Sequence, residues 1–160
     1  MDIQAIHNVL IVLHAITATI SFFVGCFLII SLRNRRGQEW FGLYWWTLVG
    51  MVVLLAAVIF VYWTEYSGIE RILFPGLFAL GLYMLYRARS ANSLLTSQPT
   101  DWKHPYIEHI GFTLISLFEG FIIVSGLNSG LPVWLVSLVA ILGVLIGRWS
   151  IAYTQRKVAQ

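Results

Sequence analysis

The run IGFTLISLFEGFIIVSG, residues 110–126, carries a single ionisable side chain, Glu119. A carboxyl among so many apolar residues costs several kcal/mol in hydrocarbon unless it is paired or hydrated, so it marks either a functional site or an interhelical contact. Counted from the polar end near Gly126, it lies about 10 Å deep at about 1.5 Å of rise per residue. His14 reaches about 9 Å from the polar start at His7 and Asn8 of the first apolar run, and so shares that level. It belongs to a stripe of His7, His14, Thr17, Ala18, Ser21 and Gly25, whose spacings of three, four and seven put them on one helical face. These positions predict a His14–Glu119 pair inside a helix bundle, extended by Thr17, Ser116 and Ser137 and hydrated from outside, with Tyr62 within reach. A small rearrangement of such a pair moves a proton. The alternative is a static interhelical hydrogen bond, worth about 1 kcal/mol, that fixes which helices touch.

A second cluster, DWKHPYIEHIG, places Asp101, His104, Glu108 and His109 together. Asp101, His104 and Glu108 offer the N and O donors a divalent metal takes. Acids here also suit helix capping and the N-terminal dipole. Other chemistries lack their parts. No lysine falls inside an apolar run, so a buried Schiff base has no anchor, and GxxxxGK[ST], HExxH and GxSxG are absent. The single cysteine, Cys26, allows no internal disulfide and reads as a packing residue. His14 and His109 are expected near opposite faces, too far apart to flank one haem iron in one chain, although symmetry-related His14 residues could do so.

The elements that must position these groups are membrane helices. Of 160 residues, 59% are hydrophobic and 11% charged, proportions that need lipid as the main solvent. Apolar runs predict an all-α integral membrane protein of five transmembrane helices in one domain, at about residues 6–32, 40–63, 72–86, 106–126 and 131–153. The third is short and carries Pro75 and Gly76 near its start, so it leans on its neighbours. Ser90 to His104 is expected as the longest loop, ending at a Pro105 suited to the first turn of the fourth helix. Small-residue steps at Ser21 and Gly25, and at Gly143 and Gly147 with Ala140 nearby, predict close helix approach within or between protomers.

Arg33, Arg35, Arg36, Arg87, Arg89, Lys103, Arg148, Arg156 and Lys157 all fall on one side of that topology, and Arg71 alone on the other. This predicts an outside N-terminus and a cytoplasmic C-terminus in a bacterial or archaeal-type inner membrane. An inner aromatic belt is expected at Trp40, Tyr44, Trp45, Trp46, Trp102, Tyr106, Trp149 and Tyr153, and an outer one at Tyr62, Trp63, Tyr66 and Trp134. The net charge of +3 is spread over helix ends, which suits anionic lipid and argues against nucleic acid. The start MDIQAIHN lacks the basic region of a signal peptide.

With five helices and seven tryptophans the chain resembles, in gross outline, the tryptophan-rich sensory and translocator proteins, which bind porphyrins and sterols. Its first loop, RNRRGQEW, departs from that family's long loop rich in Trp, Tyr and Pro, so no residue role is carried over. The leading functional expectation is small-solute or proton-linked permeation, as a homo-oligomer or in a larger complex. The alternatives are a membrane binder of haem, quinone or lipid, and a non-catalytic accessory subunit. An enzyme is least supported, because one acid and one histidine supply neither a nucleophile nor a metal set, and the residues name no cofactor.

Overall fold

The computed structural model describes residues 2–32 and 37–158. The basic cluster Arg33, Arg35 and Arg36 lies outside them. Five helices follow one another: α1 (Ile3–Ser31), α2 (Gly37–Tyr62), α3 (Glu70–Ser97), α4 (Lys103–Asn128) and α5 (Val133–Val158), with no strand among the described residues. Four of them are long and apolar enough to cross a membrane, over Ile3–Ser31, Glu39–Tyr62, Lys103–Gly126 and Trp134–Arg156. α3 is not one of these, because its second half carries Arg87, Arg89 and a polar run rich in serine.

That second half is the main departure from expectation. The stretch after Tyr86 was expected to leave the helix and become a loop by Ser90; instead α3 continues to Ser97, about 42 Å at 1.5 Å per residue. Met84, Ala88, Ala91 and Leu95 are buried at spacings of four, three and four, an apolar stripe with polar residues around the rest of the helix. Gln98, in the left-handed conformation, closes it by donating its N–H to the Leu94 carbonyl at 3.0 Å. At the other end the Glu70 carboxylate accepts the Ser67 N–H at 2.7 Å, half of a capping box. The Ser67 side chain and N–H together hold that carboxyl below its usual range.

α4 begins at Lys103 rather than near Tyr106, which still leaves Pro105 in the first turn, where its missing N–H is harmless. It ends with Gly130 at φ 72°, and the Leu131 N–H reaches back to the Gly126 carbonyl at 3.1 Å. A left-handed residue one past the helix suits glycine, which has no Cβ to clash.

α1, α2, α3 and α4 close a ring of neighbours, each packing on the next and α4 returning to α1; α5 packs on α4 alone. The core fills one end of this ring, with Leu28, Tyr44, Leu48, Ala88, Tyr106 and Ile110 at 0–1% exposure. Tyr44 and Tyr106 were expected in the inner aromatic belt and lie in the core instead. Their rings point inward because α2 and α4 face each other across the ring at that depth. Trp46, Trp134 and Trp149 remain about 70% exposed, as belt residues should be. Phe60, Ile72 and Ile30 are more exposed still, so the apolar surface faces outward, as lipid requires.

Candidate functional site

From His7 to Ser21 the helical stripe on α1 meets α2, and only its end at Gly25 also reaches α4. His14 Nδ1 lies 2.9 Å from the Met51 carbonyl of α2; a carbonyl only accepts, so the proton sits on Nδ1 and the Nε2 lone pair is free of this bond. Thr17 spends its hydroxyl on the Leu13 and His14 carbonyls of its own helix, both at 2.9 Å. Two turns on, Ser21 donates to the Thr47 hydroxyl of α2 at 2.9 Å. Tyr62 stands at the end of the bundle, stacked on His7 with ring centroids 3.9 Å apart and donating to Gln4 Oε1 at 2.6 Å. Tyr66 edges onto Tyr62 and packs on Phe74. Burial pushes its phenol above the usual range, and the Glu70 charge adds to this.

Glu119 faces the other way. Its Oε1 occupies the space that a Cβ on Gly143 of α5 would fill. The side chain is 7% exposed, and among the described residues neither carboxyl oxygen has a hydrogen-bond partner. The predicted pair with His14 therefore does not form, because His14 is bonded across the α1–α2 contact and Glu119 is turned into the α4–α5 contact. Ser116 is buried on α4 at 8% exposure, while Ser137 is exposed on α5. Of the six predicted residues, only His14 and Thr17 share a hydrogen bond.

Gly143 is one member of a seam. Along α4 and α5 a glycine of one helix repeatedly meets a side chain of the other: Gly111 with Ile151, Ile115 with Gly147, Glu119 with Gly143, and Gly126 with Val136. The pairs run in opposite directions along the two helices, the signature of antiparallel packing with small residues in the holes. The Gly143/Gly147 step thus joins α5 to α4 within one chain. Three of the four side chains are aliphatic; the fourth is a carboxyl.

Beside the seam a groove of about 330 Å³ runs between α1 and α5 with α4 as its floor. Phe22 and Cys26 form one wall, Leu114 and Phe118 the floor, and Gly143 and Ile146 the other wall. The lining is almost wholly apolar, and Gly143 belongs both to the groove and to the contact with Glu119. Gly25 lets α1 approach α4 closely: a Cβ there would press on Leu114 and Tyr44.

The second predicted cluster is dispersed. Asp101 sits exposed in the turn before α4 at φ 60°, the His104 carbonyl accepts from Gln155 of α5 at 3.1 Å, and Glu108 pairs with Arg87 of α3 at 3.6 Å. Among the described residues no three His, Cys, Asp or Glu side chains gather as a metal site. Of the three candidates, the Glu108 side chain is spent on pairing with α3.

Two polar links escaped the sequence reading. Tyr44 of α2 bonds Thr113 of α4 through their hydroxyls in the fully buried core, and Thr113 donates to the Ile110 carbonyl at 2.7 Å. Arg87 lies 5.0 Å from the Phe112 ring centroid while it pairs with Glu108. Spacing along one helix could not show either contact; the signal available was the presence of a Tyr, a Thr and an Arg within or beside otherwise apolar faces. No protein-family model, curated protein or solved structure matches the chain, which leaves the geometry around Glu119 as the ground for its function.

Proposed function

We propose that this is a multipass protein of the cytoplasmic membrane that takes a small amphiphilic solute from the bilayer into the α1–α4–α5 groove, with occupancy linked to the proton on Glu119. The observation that carries this reading is a carboxyl 7% exposed, without a partner on either oxygen, lying against a wall residue of an apolar groove. Natural ligand sites have this character: mostly apolar, about 300–1,000 Å³, with a few placed polar groups. The middle of the four-helix ring is filled by Tyr44, Leu48, Ile110 and Thr113, which favours lateral entry from lipid over passage down the bundle axis.

In this reading α3 makes a fifth crossing with its apolar first half, and an odd number of crossings puts the termini on opposite sides. The excess of basic residues at one set of helix ends sets the N-terminus outside. The test is retention of endogenous amphiphile. Protein purified in mild detergent over a pH series is extracted, and the extract is identified by absorbance and mass spectrometry. The expected result is one amphiphilic molecule per chain whose retention changes with pH in the wild type and not in Glu119→Gln, because glutamine keeps shape and loses titration. Clean protein at every pH, with no retained molecule, would remove the proposal.

A further inference from the structure

The same groove indicates the charge of its ligand, an inference that rests on the reading above. We infer that the ligand is a lipophilic cation, bound in the groove beside Glu119 in exchange for the carboxyl proton. An ionised carboxylate in an apolar seam needs a compensating positive charge, and none is supplied by the helices packed around it.

On α5, Arg148 and Arg156 are exposed. On α1, His14 is committed to the Met51 carbonyl, His7 stacks on Tyr62 and Cys26 lines the groove as a thiol. On α3, Arg87 is taken by Glu108, Arg89 is exposed and Tyr83 packs on Phe112; Tyr44 of α2 is bonded to Thr113. On α4 itself, the basic side chains Lys103, His104 and His109 lie more than two turns before Glu119. No hydrogen bond or ion pair reaches the carboxyl from any of these among the described residues.

The walls suit such a guest. Phe22 and Phe118 present aromatic rings, whose faces attract cations, and the aliphatic remainder accepts apolar substituents. The groove opens sideways, so the guest enters from the bilayer without crossing the packed core. Charge balances in the exchange: the carboxyl O–H bond breaks heterolytically, the proton leaves to water, and one monovalent cation takes its place. Release runs the same step backwards. Protons on one side of the membrane then drive the cation out of its site, which gives proton-linked export a physical basis.

Tetraphenylphosphonium is the probe, because it is permanently charged and has no proton to donate; triphenylmethanol is its neutral counterpart with similar aromatic bulk. Binding to the full chain in mild detergent is measured by equilibrium dialysis across a pH series, with size-exclusion profiles confirming that each variant is folded. The expected result is one tetraphenylphosphonium per chain, with affinity falling about tenfold per pH unit on the acid side, as one-for-one competition requires. Glu119→Gln should lower affinity at least tenfold and flatten the pH dependence, and Glu119→Asp should restore part of both. Ile146→Trp, which narrows the groove from an exposed position, should weaken binding while keeping the pH slope.

Should tetraphenylphosphonium bind without regard to pH or Glu119 while triphenylmethanol binding responds to Ile146→Trp, the cation assignment is overturned and the groove stands. If neither probe responds to Ile146→Trp, both the assignment and the groove reading fall.

Discussion

At the scale of single residues, this protein places its polar groups by helix face rather than by depth. The hydroxyl pair at the centre shows how unequal the two ends of one hydrogen bond are. Thr113 donates to Ile110 and accepts from Tyr44, so Tyr44→Phe leaves Thr113 still bonded. Its expected cost is about 1 kcal/mol. Thr113→Val instead strands the Tyr44 hydroxyl in a site at 0% exposure, which is expected to cost about 1–3 kcal/mol. Thermal unfolding in one detergent should rank Thr113→Val below Tyr44→Phe, and the reverse order would show that the tyrosine hydroxyl finds another acceptor. Glu119 is the opposite case, a group with no protein partner to lose. Glu119→Gln is therefore expected to leave the melting temperature within about 2 °C of wild type, or above it, since a neutral amide is easier to bury than a carboxylate.

At the scale of helices, the α4–α5 seam makes a prediction that a slip of one residue would break. A Cβ built on Gly111 lies 3.8 Å from the Ile151 Cβ, the mean separation across a disulfide. With Cys26 replaced by alanine, Gly111→Cys/Ile151→Cys should oxidise within the chain and lose both thiols to maleimide labelling. Gly111→Cys/Ala152→Cys should stay reduced, because the neighbouring position turns about 100° round the helix. The same geometry explains what could be read in advance. Long apolar runs gave five helices and the small-residue step at Gly143 and Gly147 because both signals lie within one segment. The reach of α3 past Tyr86 was missed because its buried stripe is built largely from alanines among arginines, serines and Asn92, a pattern that composition alone assigns to a loop. Equal depth suggested pairing His14 with Glu119 but could not give their direction around the helix axis, and the two face different neighbours. That azimuth is decided by which neighbour each helix packs against, information that only the assembled bundle holds.

At the scale of the whole molecule, α5 is the element set apart. Among the described residues it packs only on α4, leaves most of its apolar surface exposed, and forms one wall of the groove, so its position relative to α1 sets the groove's width. In the proposed exchange, the direction in which the molecule sits in the membrane decides which aqueous side receives the Glu119 proton. Arg87, Arg89 and the end of α3 are expected on the cytoplasmic side with Arg148 and Arg156, because basic segments resist translocation. The turn at Ser129 and Gly130 joins α4 to α5 at the opposite end, which is expected outside. In a background with Cys26 replaced, Ser129→Cys should react with a membrane-impermeant maleimide in intact cells, while Ser97→Cys should react only after the cells are opened. Both serines are exposed, so protection would report the membrane rather than the fold. The opposite labelling pattern would turn the molecule over and send the proton to the other side, and labelling of both sites in intact cells would show that α4 does not cross at all.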